Sequence, residues 1–137
     1  MLFRSDSHRF ASLMQAYRLP KESEQEKRKR SEEIQSRLKE AAEIPLKTAG
    51  KAAGILSVAK SLAEFANENA LSDLQTAVFL AHAGALGAIS NVTINLASIK
   101  DAAYQNQMKL SLDSLQKQIE TEKTDALSVM GKRSKGG

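Results

Sequence analysis

Apolar positions recur along this chain at helical spacing, in stretches separated by polar or proline-bearing breaks. In Asp6–Tyr17, "DSHRFASLMQAY", Phe10, Leu13, Met14 and Tyr17 fall at i, i+3, i+4 and i+7. That spacing predicts an amphipathic helix, closed by Leu19-Pro20. Ser23 followed by Glu26 forms a capping box that opens a second helix. Its first half is strongly charged, with Ile34, Leu38, Ala41 and Ala42 as a thin apolar stripe. Pro45 predicts a kink or short break, because its ring removes a backbone donor and crowds the preceding turn. The apolar pattern resumes with Ile55, Leu56, Val58, Ala59, Leu62 and Phe65, then fails at the polar "ANENALSD". Ser72-Asp73-Leu74-Gln75 reads as a second capping box, with Asp73 favourably placed at the positive end of the helix it starts. A last helix, from about Asp101 to Met130, carries Tyr104, Met108, Leu112, Leu115 and Ile119.

The run Leu74–Ile99 contains no Lys, Arg, Asp or Glu. A helix uncharged all round is either a core helix or a membrane span. Gln75, His82, Asn91 and Asn95 interrupt the run, and its Ala and Gly residues gain little on transfer to lipid, so a buried central helix is expected. One stripe of it reads Ala77, Ala81, Gly84, Ala88, Asn91, Asn95, Ser98 and Ala102, small residues and short amides throughout. Such a stripe admits a close neighbour. Its amides need partners, because a buried unpaired amide costs roughly 1–3 kcal/mol. Asn91 and Asn95 therefore either clamp a neighbouring segment or face a ligand. The predicted fold is all-α, an antiparallel bundle of about four to five helices around Leu74–Ile99.

Composition narrows the chemistry. The chain has 137 residues and no cysteine, which excludes disulfides, thiolate metal sites and cysteine nucleophiles. His8 and His82 match no metal-ligand spacing, and no phosphate-binding glycine motif is present. The net charge of +4 is mild, and the basic run Lys27–Arg30 is flanked by Glu22, Glu24, Glu26, Glu32 and Glu33. This is the pattern of a solvated helix face and not of a nucleic-acid surface. No partner nucleic acid or membrane is expected, and a cytoplasmic location is.

The segments "DSHRFASLMQAYRLPK", "EEIQSRLKEAAEIPL" and "SDLQTAVFLAHAGALGAISNVTINLASIKD", in this order, resemble the formiminotransferase-cyclodeaminase family. The resemblance is to its cyclodeaminase domain, which also occurs alone as methenyltetrahydrofolate cyclohydrolase. It covers residues 6–130. The family carries a further N-terminal segment with a Gly-rich turn, so the chain is expected to be the C-terminal, larger share of the domain. Residues 1–5 read as a scar or frayed start, and 131–137 as a disordered tail.

The resemblance implies an all-α homodimer that forms or hydrolyses 5,10-methenyltetrahydrofolate without a metal, a tetrahydrofolate derivative being the substrate. It places the catalytic carboxylate at Asp6, which on the residues alone reads as a helix N-cap. Asn91 and Asn95, inside "NVTINL", are expected in the wall of the folate pocket or its support, together with Asp73. Arg18 and Lys21, beside the "LPK" turn, are candidates to meet the glutamate carboxylates of the substrate. The competing reading is a helical dimerisation module without catalysis.

Overall fold

The computed structural model describes residues 2–134, with side chains from residue 8 onward. Four helices follow one another: α1 (Leu2–Tyr17), α2 (Glu24–Ala63), α3 (Leu71–Ala97) and α4 (Ala102–Arg133), with a single 3-10 turn, Glu68–Ala70, ahead of α3. Short connections fold sequential helices back on each other. Arg9 of α1 reaches the Glu40 carbonyl of α2, and Arg30 of α2 donates to the Tyr17 carbonyl at 3.1 Å, so α1 and α2 are antiparallel. Lys39 pairs with Asp101 and Lys60 with Asp125, both at 2.7 Å, which sets α4 parallel to α2. The topology is up-down-up-down.

The Ser23 capping box forms as the sequence predicts. Ser23 Oγ accepts the Glu26 amide at 3.2 Å, and the Glu26 carboxylate accepts the Ser23 amide at 3.0 Å. Those backbone bonds hold the Glu26 carboxyl below its ordinary value. From this cap α2 runs for 40 residues without a break, straight through Pro45. Ion pairs spaced three and four residues apart, such as Arg28–Glu32 and Arg37 with Glu33 and Glu40, support its charged first half. Packing on both sides of the proline keeps the helix whole where local propensity predicts a break.

The second predicted capping box does not form. Ser72 and Asp73 lie inside α3, and the chain enters that helix through a 3-10 turn whose leading Asn67 side chain accepts the Asn69 amide. The helix predicted from Asp6 starts at Leu2, so Asp6 is not an N-cap. Residues 131–133, expected in a disordered tail, are helical instead. α4 continues through Arg133, whose guanidinium donates to the Ala63 carbonyl at 2.7 Å, while residues 135–137 lie outside the described ones.

Small residues build the core. Ala42, Ala49, Ala53, Ala59 and Ala63 of α2 and Ala81, Ala85 and Ala88 of α3 are buried in one core, with Leu56, Val78, Val92 and Ile119 its largest fully buried side chains. Alanine seams let helix axes approach closely, and the contact of α2 with α3 is the most extensive in the molecule. α2 touches all three other helices and is the hub. α3 is buried along one face only. Its other face leaves Leu80 at 70% and Ile94 at 69% of full exposure. On α2, Leu56 and Ala59 enter the core, whereas Ile55, Val58 and Leu62, with Phe65 just past the helix end, form a second, exposed seam. A segment spanning Glu68–Ala97 is long and apolar enough to cross a bilayer, and here it packs against α2 and α4.

Candidate functional site

Helices α1, α2 and α3 enclose an open cleft of about 700 Å³. α1 contributes Phe10 and Leu13; α2 contributes Ala41, Ile44, Pro45 and Thr48. The third wall is α3, with Gly84, Gly87, Ala88, Asn91, Ile94 and Asn95. The small stripe read from the sequence thus lines this cleft over part of its length, where close contact with another helix was the expectation. Ala81 and Ala88 turn into the core, whereas Gly84 and Asn91 stay exposed. A Cβ added at Gly84 or Gly87 would meet no atom within 4 Å, so neither glycine serves packing among the described residues.

The cleft is mostly apolar, with few polar groups, as small-molecule sites are. Asn91 and Asn95 stand one turn apart on α3, and neither side-chain amide hydrogen-bonds to any described residue. Both remain available to a ligand, each with two donors and an acceptor. The Thr48 hydroxyl donates to the Ile44 carbonyl at 3.1 Å and keeps its own lone pairs. Of the sequence candidates, the structure brings together Asn91 and Asn95 and adds the α2 wall. The one local signal for that wall was the proline.

The other candidates lie elsewhere. Asp73 is exposed in the first turn of α3, 18 residues before Asn91 and about 27 Å away along the axis, and it does not line the cleft. Arg18 and Lys21 are exposed in the α1–α2 turn, outside the cleft wall, and form no ion pair with described residues. Asp6 belongs to α1 one turn before Phe10; its side chain lies outside the described residues.

Two polar clusters away from the cleft join helices. His82 contacts Glu120, whose other oxygen pairs with Lys123 at 3.1 Å. The histidine ring, then the ammonium, hold the Glu120 carboxyl below its usual range. Gln35 grips the α3–α4 turn, donating to the Ser98 carbonyl at 3.1 Å and accepting the Lys100 amide at 2.6 Å. Among the described residues, no group of three or more His, Asp or Glu side chains is arranged to hold a metal ion.

A sequence model of the formiminotransferase-cyclodeaminase family matches residues 1–114. The chain is 32% identical over 127 residues to the formimidoyltransferase-cyclodeaminase of Rattus norvegicus, covering 93% of this chain and 23% of that protein. It is 34% identical over 110 residues to the methenyltetrahydrofolate cyclohydrolase of Methylorubrum extorquens, covering 80% of this chain and 53% of that one. The crystal structure of formiminotetrahydrofolate cyclodeaminase from Thermotoga maritima superposes with a TM-score of 0.81 at 31% identity, over 95% of this chain and 61% of that one. The chain therefore spans about half or less of the two sequence relatives.

Proposed function

Starting from a chain that belongs to the formiminotransferase-cyclodeaminase family, we propose that its cleft binds a tetrahydrofolate derivative. The reaction is then cyclodeamination of a formimino group or interconversion of the methenyl and 10-formyl forms. The observation that carries this reading is the α3 wall: two amides without partners among the described residues, at the end of a glycine-lined apolar surface. A flat heterocycle with a donor–acceptor edge fits such a wall, its faces against apolar groups and its edge against the amides.

Ring closure requires N10 of the folate to attack the formimino carbon and lose its proton, while the departing nitrogen leaves as ammonia only after gaining one. A single carboxylate can accept the first proton and return it to the leaving group, the economy of general acid–base catalysis. In the hydrolytic direction the same group takes a proton from the water that attacks the methenyl carbon. Asp6, one turn before the cleft residue Phe10, is the proposed carboxylate. Both proton moves then belong to one side chain, and the reading calls for no metal. A homodimer is part of the proposal, because the exposed Leu80 and Ile94 flank Gly84 and Gly87 on an unpartnered helix face.

The test is binding of 5-formyltetrahydrofolate by calorimetry, followed by assay of methenyl-tetrahydrofolate formation from the formimino and 10-formyl substrates. Asp6→Asn should lower turnover by roughly 10²–10⁴-fold while leaving folate affinity within a few fold. A chain that binds no folate would sink the reading. The exposed seam of Ile55, Val58 and Leu62 on α2, continued by Phe65, favours the alternative of a dimerisation module, which predicts self-association without folate binding.

A further inference from the structure

Pro45 sits within α2 and in the cleft wall at once. A proline has no N–H, so the residue four positions earlier, Ala41, loses the donor that its carbonyl would meet in a regular helix. The proline ring also crowds that carbonyl and turns it away from the axis. In an α-helix the oxygen of residue i lies beneath the amide of i+4, between the side chains of i, i+3 and i+4. Here those are Ala41, Ile44 and Pro45, and all three line the cleft. The neighbouring Glu40 carbonyl receives the Arg9 guanidinium. No described side chain donates to Ala41.

We propose that the Ala41 carbonyl, left without its helical donor by Pro45, accepts a hydrogen bond from the exocyclic amine at the bound pterin's donor edge. This rests on the folate reading of the cleft. It assigns opposite tasks to the two polar walls. The α3 amides carry both donors and acceptors, whereas the α2 wall offers a bare acceptor fixed to the backbone, at no cost in side-chain entropy on binding. Such a group selects a ligand that presents N–H at that edge, because a ligand presenting an acceptor there meets two opposed lone pairs. It also accounts for a proline in the interior of a long helix, a position where it is strongly disfavoured.

The experiment measures affinities of the wild-type chain and of Pro45→Ala for 5-formyltetrahydrofolate and for its analogue lacking the exocyclic amine, with thermal unfolding alongside. Restoring the N–H closes the Ala41 bond, so Pro45→Ala should raise the melting temperature and weaken 5-formyltetrahydrofolate by roughly three- to tenfold, the value of one hydrogen bond. The analogue should bind both forms within twofold of each other. Pro45→Gly, which restores the donor with a smaller side chain, should weaken 5-formyltetrahydrofolate as the alanine variant does. Equal weakening of both ligands would assign Pro45 a role in shape alone and overturn the proposal. Unchanged affinity for 5-formyltetrahydrofolate would overturn it too, leaving the folate reading intact. Failure of the wild type to bind either ligand would overturn both.

Discussion

Lys39 and Asp101, 62 residues apart, meet at 2.7 Å, and the other oxygen of the same carboxylate accepts the Tyr104 amide at 3.0 Å. One side chain thus caps α4 and fastens its first turn to α2. The lysine, then the capped amide, hold Asp101 below its ordinary value of 3.8. A depressed folded-state value adds stability that is complete above that ordinary value and fades as pH falls through the folded one. Asp101→Asn keeps the cap and loses the charge; Asp101→Ala loses both. Melting temperatures at pH 7 should rank wild type, Asn, Ala in descending order. The gap between wild type and Asn should narrow as pH is lowered below about 4. A gap independent of pH would rule out the charge pairing.

Leu56 and Ile55 are neighbours with opposite surroundings, the first fully buried and the second about half exposed. Leu56→Ala should cost about 2–5 kcal/mol in urea unfolding through the cavity it leaves. Ile55→Ala should stay within about 0.5 kcal/mol in dilute protein. Similar costs would mean that the outer seam is covered.

The amides of Asn91 and Asn95 lack partners among the described residues, so Asn91→Ala and Asn95→Ala should leave the melting temperature nearly unchanged. Folate affinity should drop by roughly three- to tenfold for each. A loss of stability with unchanged affinity would return both residues to a packing role.

Gly84 and Gly87 have open space where a Cβ would stand. Replacing either with alanine should stabilise α3 by about 0.5–1 kcal/mol, because glycine is a poor helix former. The added methyl narrows the cleft, so folate binding should weaken while the melting temperature rises. Tighter binding would mean that the wall is not in contact with the ligand.

Periodicity identified every helix, since a 3.6-residue pattern survives whatever the helix packs against. It could not say which of two adjacent apolar seams is inward. Ile55 and Leu56 are equally apolar, and only the positions of the helices packed on α2 decide between them. For the same reason, absence of charge in Leu74–Ile99 predicted more burial than α3 has: an apolar residue beside a cleft looks like one in a core. Ser72 matched a cap pattern, but the 3-10 turn led by Asn67 starts the helix earlier. Of the site, Asn91 and Asn95 stood out as amides on a small-residue stripe. The α2 wall did not, because Ala41, Ile44 and Thr48 are ordinary helix residues until α1 and α3 are set against them.

Both tyrosines of the chain sit where another helix meets α2. Tyr17 lies under the Arg30 guanidinium, 5.9 Å from its ring centre, and Tyr104 under the Lys39 ammonium at 5.0 Å. With no tryptophan in the sequence, these two rings supply all the intrinsic near-ultraviolet emission apart from that of phenylalanine. A Tyr104→Phe chain would then glow only at the α1–α2 joint, and a Tyr17→Phe chain only at the α2–α4 joint. The molecule carries its own pair of optical reporters, one for undocking of the first helix and one for undocking of the last.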